Sequence, residues 1–425
     1  RMALGLFDMN APAQNSYTKI KSDIIGKKEH KLASLNSARK TMTLLLNKES
    51  TLPFEKGKVI AVIGKSSNSG KEILGNYLGP ICPSRMYECV DTIFDMIKHL
   101  NEEKLGIELE HKSARTLLAD NVRDLGRVKA IIDEADTVIL TLSNANFFLG
   151  GGESYDRTNI GIDKAQLKLA KMVLDAGKPT AIVMINGGII SLDPEIIEHW
   201  NCKAILNAWM PGQYGALAVA ETIFGDNNPG GKMPVTMYKS SYINQVDFLD
   251  MSMQAGLGRT YKYFKGDPIF PFGHGLSYTS FSIDLEASSP LLCTFTDASE
   301  TCEFGIKVVN LGNRSGDEVV MMFMKPTSVL GEKTPSLPGT PVMEKKLLDF
   351  QRLNLDAKST ELLQFTLQGS QLALVDVSGN RVLISSNFDI IFSRGNYGKP
   401  SDIRIGAVVK CNKPKILSKF NYRWW

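Results

Sequence analysis

Residues 136–142 read DTVILTL and residues 149–157 read LGGGESYDR, and this pair of segments decides the fold. The first is short and almost wholly apolar, which is typical of a strand buried on both faces of a parallel sheet. The glycines of the second allow backbone conformations that other residues avoid. Because ligands bind beyond the carboxyl ends of strands in open α/β sheets, we expect the loop to present Glu153 at a binding edge. Judged by itself, a solvated surface loop without a function is an equally good interpretation.

Strands and helices alternate on both sides of this pair. Similar apolar runs lie at residues 59–64, 180–185 and 204–209, and a further strand is predicted at 107–110. Strands that alternate with helices predict βαβ units and a mainly parallel sheet, here over roughly residues 50–240. The apolar spacing predicts helices at residues 30–47, 89–101, 121–135, 164–176 and 215–224.

The pattern changes after the turn-rich segment GDNNPGG at residues 225–231. From residue 281 onward, short strands separated by turns predict a β-sandwich of immunoglobulin or fibronectin type. Four of these strands are predicted at residues 303–309, 318–324, 362–367 and 388–393. The predicted division is an interdomain segment with the first helix (1–50), an α/β domain (51–240), a connector (241–280) and a β-sandwich (281–425).

Composition narrows the class of protein. The 425 residues are 43% hydrophobic and 22% charged, with a formal net charge of +4, which describes an ordinary globular chain. No basic run is dense enough to predict nucleic-acid binding, and no apolar stretch reaches the ~20 residues of a membrane span. None of the six cysteines forms a Cys-x-x-Cys pair, which argues against zinc-ribbon and thioredoxin-like sites.

Two cysteine pairs and one sequon favour a secretory compartment. Cys82 and Cys89 are close enough in sequence to pair, and Cys293 and Cys302 could close a hairpin. Asn313 begins the chain's Asn-Arg-Ser glycosylation sequon. We therefore expect a secreted, extracellular or lysosome-like glycoprotein.

Several other chemistries are disfavoured by the sequence. Residues 64–72 (GKSSNSGKE) resemble a phosphate-binding loop, but the glycine spacing is wrong and Glu72 replaces the hydroxyl that would bind magnesium. The five histidines have no metal-ligand spacing, and His274, which lies between two glycines, is interpreted as a structural turn residue. No Gly-x-Ser-x-Gly motif is present. We therefore predict no cofactor and no metal.

Longer motifs resemble signatures of glycoside hydrolase family 3. They read PGQYG at 211–215, FGDNNPGGKMPVT at 224–236, GRTYKYF at 258–264 and FPFGHGLSYT at 270–279. The resemblance extends to about residue 396 and is strongest with the β-xylosidase and α-L-arabinofuranosidase branch. It implies an α/β sandwich followed by a fibronectin type III-like domain. It also implies an N-terminal (β/α)8-type barrel, as a domain or separate chain, from which residues 1–8 would lead.

The resemblance also implies roles for the glycine-rich loop. In this family the nucleophilic aspartate belongs to the barrel, whereas the acid/base glutamate is followed three residues later by Asp-Arg, a pattern that Glu153, Asp156 and Arg157 match. Glu153 is thus the predicted catalytic acid/base of a retaining, exo-acting β-glycosidase of β-xylosidase or β-glucosidase type. Asp156 and Arg157 are predicted to position the loop or bind substrate.

Two alternatives stay open at this point. Departures from the family pattern, such as Gly151 in place of a second glutamate and Lys65 in place of a proline, suit a catalytically silent member that binds carbohydrate or acts structurally. A fragment without a function would instead expose a large apolar patch where the barrel should dock. The predicted partners are therefore the barrel and an oligosaccharide or polysaccharide.

Overall fold

The computed structural model describes residues 20–75, 81–82, 87–102, 114–144, 157–327, 337, 342–395 and 401–419. The first half forms an α/β domain, and the second half forms antiparallel β-sheets. The strands of the α/β domain are β1 (Thr43–Asn47), β2 (Val59–Ile63), β3 (Arg115–Ala119), β4 (Thr137–Ser143), β5 (Thr180–Ile185) and β6 (Cys202–Asn207). Its helices are α1 (Lys28–Thr41), α2 (Ile93–Glu102), α3 (Leu125–Glu134), α4 (Lys164–Asp175), α5 (Pro194–Ile197) and α6 (Gly215–Phe224).

The α/β domain has three layers. Its sheet has the order β1-β6-β5-β4-β2-β3, with β2 to β6 parallel and β1 antiparallel at one edge. One apolar core packs α1, α2 and α6 against the sheet, and a second packs α3, α4 and α5 against the opposite face. Strands covered on both faces must be apolar throughout, which explains the unbroken runs in β2 and β5.

The first predicted helix was too long. It ends at Thr41, and β1 follows and pairs with β6. Thr43, Leu44 and Leu45 are consecutive and all buried, so their side chains need cover on both sides of the chain, as a strand between two helical layers provides. The sheet therefore includes residues that precede residue 51.

The other predicted elements shift at their boundaries. Helix α3 begins at Leu125 because the Asp124 side chain accepts a hydrogen bond from the Arg127 backbone and caps it. Helix α4 is followed by Gly177 in the left-handed region, as its sequence indicates. The strand predicted at 107–110 lies outside the described residues.

The C-terminal half contains two main packed sheets. One has the order β11-β10-β15-β16-β8, the other β12-β9-β7, and a small sheet of β13, β14 and β17 adjoins them. A core rich in phenylalanine fills the space between them. The strands are β7 (Phe281–Leu285), β8 (Leu292–Phe295), β9 (Thr301–Asn310), β10 (Gly316–Thr327), β11 (Lys346–Leu355), β12 (Thr360–Gln368), β13 (Leu374–Val375), β14 (Arg381–Leu383), β15 (Ser386–Ser393), β16 (Ile403–Val409) and β17 (Lys415–Ser418). A parallel α/β sheet followed by an all-β sandwich confirms the predicted fold class.

Both predicted cysteine pairs are disulfides, but one has a different role from that predicted. Cys82 bonds to Cys89, and Cys293 bonds to Cys302. The second does not close a hairpin, because β8 pairs in parallel with β16 whereas β9 belongs to the opposite sheet. It therefore links the two sheets of the sandwich.

The two domains meet at a polar surface that we call the seam. Lys232, from the segment after α6, places its ammonium 2.7 Å from the Glu318 carboxylate on β10, and Arg394 lies 3.2 Å from the same carboxylate. The Lys232 and Glu318 side chains are only 10% and 4% exposed. Nearby, Arg352 pairs with Asp317 at 2.6 Å and donates to the backbone carbonyl of Lys40 in α1. Ion pairs whose carboxylates have little solvent access thus join the sandwich to the α/β domain.

Candidate functional site

The carboxyl edge of the parallel sheet contains the point where the strand order reverses. Strands β2 and β4 are neighbours, but the chain goes from β2 outward to β3 and from β4 in the opposite direction to β5. A crevice outside the carboxyl ends of such strands is where ligands bind in open α/β sheets. The predicted loop joins β4 to α4 at this place.

Of the three predicted site residues, the structure describes Arg157. Glu153 and Asp156 lie outside the described residues, so their predicted roles remain predictions. The strand end before the loop is well anchored, because the Gln166 side chain in α4 both donates to and accepts from the Ser143 backbone at 2.8 Å. Helix α4 is capped by Asp163, whose carboxylate accepts from the backbone of Gln166. The loop therefore begins from a fixed strand end and leads into a capped helix.

Arg157 contacts the neighbouring strand end beyond β5. A Cβ atom built on Gly188 would lie 3.1 Å from its Nη2 atom, so glycine allows this close approach. Burial lowers the pKa of the Arg157 guanidinium below its usual value. Its buried Nη1 atom has no hydrogen-bond partner among the described residues.

Two asparagines that the sequence analysis missed share this place. Asn144 follows β4 and Asn186 follows β5, and their side-chain amides both donate to the Gly188 carbonyl, at 3.3 and 2.9 Å. Both side chains are buried, and within the described part of the chain their Oδ1 atoms accept no hydrogen bond. Buried polar atoms are normally paired, so each exception calls for an explanation. We call Asn144, Arg157, Asn186 and Gly188 the Gly188 cluster.

The cluster offers both kinds of hydrogen-bonding group at one edge. Arg157 provides a donor, and Asn144 and Asn186 provide acceptors. Such a mixture suits a ligand whose groups both donate and accept, as hydroxyls do. A sequence signal existed for the asparagines, since each is the first residue after a buried apolar strand.

Trp209 lies beside the cluster at the end of β6. Its backbone carbonyl accepts from the Asn186 backbone at 3.1 Å, and its φ angle is +61°. A bulky residue rarely adopts this conformation, and such strain is concentrated at functional sites. The indole donates to the Thr43 hydroxyl at 3.2 Å, which fixes its direction.

The segment that resembles a phosphate loop uses its polar groups internally. The Ser66 hydroxyl donates to the Glu72 carboxylate, and the Asn68 amide donates to Asp120 at 2.8 Å. The Ser67 hydroxyl donates to the Gly64 carbonyl. These side chains therefore stabilise the turn after β2.

His274 occupies a structural position. It is buried, its Nε2 atom lies 2.8 Å from the Leu45 carbonyl of β1, and its ring stacks on Phe270. It thereby ties the connector to the edge strand of the sheet. The described ranges contain no group of three or more His, Cys, Asp or Glu side chains that could hold a metal ion. Among the same residues, no helix is long and apolar enough to cross a membrane.

Comparison with known proteins gives the family. The glycosyl hydrolase family 3 C-terminal domain matches residues 42–278. The chain is 33% identical over 288 residues to a probable beta-D-xylosidase 7 of Arabidopsis thaliana, covering 66% of this chain and 36% of the relative. It is 31% identical over 349 residues to a xylan 1,4-beta-xylosidase of Xylanibacter ruminicola, covering 78% of this chain and 37% of the relative.

Solved structures share the fold. A GH3 exo-beta-xylosidase in complex with a xylobiose aziridine probe superposes with a TM-score of 0.79 at 22% identity, covering 96% of this chain and 52% of that one. A beta-glucosidase from Listeria innocua in complex with glucose gives a TM-score of 0.72 at 20% identity, covering 91% and 51%. The chain spans about half the length of these proteins or less. By its match over more than half of its residues, the chain belongs to glycosyl hydrolase family 3.

Proposed function

We propose that this chain is the C-terminal part of a retaining, exo-acting β-glycosidase that removes terminal sugars from oligosaccharides or polysaccharides. The matched relatives are named beta-xylosidases, which favours a β-xyloside as substrate. One observation carries the proposal to this site: the segment that contains Glu153 follows β4 at the strand-order reversal, where Asn144 and Asn186 each keep a buried oxygen with no partner among the described residues. The nucleophilic aspartate would come from a barrel domain or chain of the same precursor.

The proposed chemistry needs two carboxyl groups about 5–5.5 Å apart. Glu153, protonated, would donate its proton to the glycosidic oxygen as the barrel aspartate attacks the anomeric carbon and the aglycone leaves. The Glu153 carboxylate would then take a proton from water, which attacks the anomeric carbon and releases the aspartate. Docking the loop against a second carboxylate would raise the pKa of Glu153, as a general acid requires.

Arg157 and Asp156 would hold the loop in its working position or bind substrate. Arg157 lies against Gly188, so it fixes the exit of the loop beside the end of β5. Its Nη1 donor, which has no partner among the described residues, would bind Asp156 or a sugar oxygen. The oxygens of Asn144 and Asn186 would accept from sugar hydroxyls in the same crevice.

A second candidate is a catalytically silent member that binds carbohydrate or acts as a structural component. The Gly188 cluster favours this candidate because its hydrogen-bonding groups could bind a glycan without any help from Glu153. In that case the parent protein and the Glu153→Gln variant both bind carbohydrate, and neither hydrolyses it.

The test is hydrolysis of aryl β-D-xylosides and β-D-glucosides by the complete protein, barrel included. We expect Glu153→Gln to reduce kcat/KM for a 4-nitrophenyl glycoside about 10²–10⁴-fold, the range typical of general acid–base catalysis. For a 2,4-dinitrophenyl glycoside, whose leaving group needs no proton, the same substitution should reduce kcat/KM much less. Azide, which needs no general base, should restore turnover and give a glycosyl azide.

The matched control is Glu198→Gln, an exposed glutamate after α5. It should hydrolyse both substrates like the parent protein. If the parent protein turns over no aryl glycoside, the silent alternative is favoured. If Glu153→Gln is as active as the parent on the 4-nitrophenyl substrate, the acid/base role of Glu153 is wrong.

We also propose that the protein is secreted and glycosylated at Asn313. This residue is exposed in the turn between β9 and β10, where an attached glycan would point to solvent. Removal of N-glycans should lower the mass of the protein isolated from its source, and Asn313→Gln should abolish that change. An unchanged mass of the isolated protein would contradict the proposal.

A further inference from the structure

The connector carries an exposed apolar segment, residues 243–257, that we call the apolar loop. Phe248 and Met251 are 89% and 91% exposed, which is unusual for large apolar side chains. Four further apolar residues of the same loop are also exposed: Ile243, Leu249, Met253 and Leu257. Contiguous exposed apolar side chains mark interaction sites on soluble proteins.

The apolar loop is held in shape by its own hydrogen bonds. The Arg259 guanidinium donates to the carbonyls of Asp247 and Asp250, at 2.8 and 2.6 Å. The Asp247 carboxylate accepts from the Leu249 backbone at 2.9 Å, and the Asp250 carboxylate accepts from the Ser252 backbone at 2.7 Å. The apolar side chains therefore point outward from an ordered backbone, which lowers the entropic cost of binding a partner.

An aromatic base closes the loop. The Tyr242 hydroxyl donates to the Gly258 carbonyl at 2.8 Å, joining the two ends of the loop. Its ring stacks on Tyr238 at 4.0 Å, and the edge of Phe264 packs on both. Burial, and after it the neighbouring Tyr238, raises the pKa of Tyr242 to about 12.

The base of the loop is attached to the carboxyl edge of the α/β sheet. The Ser191 hydroxyl, beyond β5, donates to the Tyr238 carbonyl at 2.8 Å, and the Ser191 backbone donates to the Ile160 carbonyl at 2.7 Å. Ser240 bonds to Asp193 at 2.6 Å in the same region. Ile160 lies three residues after Arg157, so Ser191 links the base of the apolar loop to the segment that follows Arg157.

The occupant follows from the family and from the length of its members. The matched region is the C-terminal domain of the family, and the relatives are about twice as long as the part this chain covers. A part of the protein that supplies the second carboxylate must lie against the carboxyl edge, where the apolar loop also lies. We propose that the apolar loop is a docking surface for the preceding barrel half, which covers Phe248 and Met251 and closes the site at the Gly188 cluster. This rests on the proposed function for the barrel half and for the second carboxylate that it supplies.

Hydroxyl-radical labelling of the complete protein tests the proposal with an internal control. Phe350, on β11 of the sandwich, is 59% exposed and has the same side chain as Phe248. A free loop would make Phe248 label faster than Phe350. Docking reverses the order, and we expect Phe248 to label about tenfold more slowly because the core of an interface excludes water. Equal or faster labelling of Phe248 overturns the proposal.

Labelling at several protein concentrations shows whether the barrel half or a second copy covers the apolar loop. Docking within one protein gives protection of Phe248 that is independent of protein concentration. Protection that disappears on dilution would mean that a second copy covers the loop, which contradicts the proposal. The labelling rate of Trp200 serves to normalise the radical dose. Trp200 is exposed and lies just before β6, at the amino ends of the strands and away from the carboxyl edge.

Substitution separates docking from catalysis. The double variant Phe248→Ser and Met251→Ser should lower kcat/KM at least tenfold, since large apolar side chains at the centre of an interface carry much of its binding energy. Phe350→Ser should keep the parent activity. Glu153→Gln should leave the labelling of Phe248 unchanged. Protection of Phe248 without any hydrolysis would support docking and contradict the glycosidase proposal, whereas hydrolysis with a freely labelled Phe248 would do the opposite.

Discussion

The seam between the domains and the carboxyl edge of the α/β sheet both contain buried polar side chains. Those at the seam are paired, whereas several at the edge have an atom with no partner among the described residues. At the seam, Lys232 and Arg352 each face a carboxylate within 2.7 Å. At the edge, Arg157 makes no hydrogen bond or ion pair with any described residue, and Asn186 has a buried oxygen without a partner there. Buried polar groups are costly unless paired, so the seam is an interface that this chain completes itself. At the edge, no described residue completes the pairing, and under the proposed function the Glu153 loop, a sugar or the barrel would do so.

The strongest way to break this contrast is to remove the acceptor at the centre of the seam. Glu318→Gln leaves Lys232 and Arg394 facing a neutral amide with little access to water. Removal of one partner from a buried ion pair typically costs about 3–5 kcal/mol, and we expect a loss of this size in the free energy of unfolding. Urea denaturation followed by circular dichroism measures it.

Glu303→Gln is the control for that variant. Glu303 is exposed on β9, so the substitution should change the free energy of unfolding by less than about 0.5 kcal/mol. If both variants unfold at the same urea concentration, the seam contributes no more than an exposed side chain does.

A smaller loss should follow from Arg352→Met. The guanidinium donates to Asp317 through Nε at 2.7 Å and to the Lys40 carbonyl at 3.0 Å, and hydrogen bonds to charged groups contribute about 1.5–3 kcal/mol. The comparison is Arg115→Met, whose pair with Glu134 is exposed and should contribute about 1 kcal/mol or less. Equal effects of the two substitutions on the urea midpoint would contradict the distinction between seam and surface.

The smallest effect on stability is expected at the open edge. Arg157→Met removes a half-buried charge that has no hydrogen bond to a described residue, so the free energy of unfolding should change by about 1 kcal/mol or less. The same variant of the complete protein should lower kcat/KM for an aryl β-xyloside, because the loop exit loses its contact with Gly188. Stability lost to the extent seen with Arg352→Met, with activity unchanged, would make Arg157 a structural residue.

Local sequence patterns predicted those strands and helices whose burial follows directly from their own apolar residues. The runs at β2, β4 and β5 are buried on both faces, so apolar composition alone identified them. Helix α6 spans Gly215–Phe224 as predicted, because a buried helix followed by a left-handed glycine has a clear local signal. Residues 43–47 were predicted as the end of the first helix because Leu45 continues the helical spacing of the residues before it, and pairing with β6 makes them a strand instead.

The candidate site also contains residues that the sequence predicted and residues that only the structure brought together. The family motif predicted a role for Arg157, and that role stays a prediction. Asn144 and Asn186 belong to no motif, and their convergence on Gly188 depends on β4 and β5 being adjacent. A strand order is a long-range property that no local pattern contains. The same reason explains the Cys293–Cys302 disulfide, which was predicted as a pair but not as a link between sheets.

By itself the sequence determined the layer architecture and the family, because periodicity and motifs are properties of neighbouring residues. Tertiary structure decided which polar groups are satisfied and which apolar ones are covered. Lys232 and Glu318 are far apart in the chain and yet form a buried pair, whereas Phe248 and Met251 look like core residues and are almost fully exposed. The physical reason is that the cost of burying or exposing a side chain depends on its partners in space, and these partners are set by the packing of distant elements.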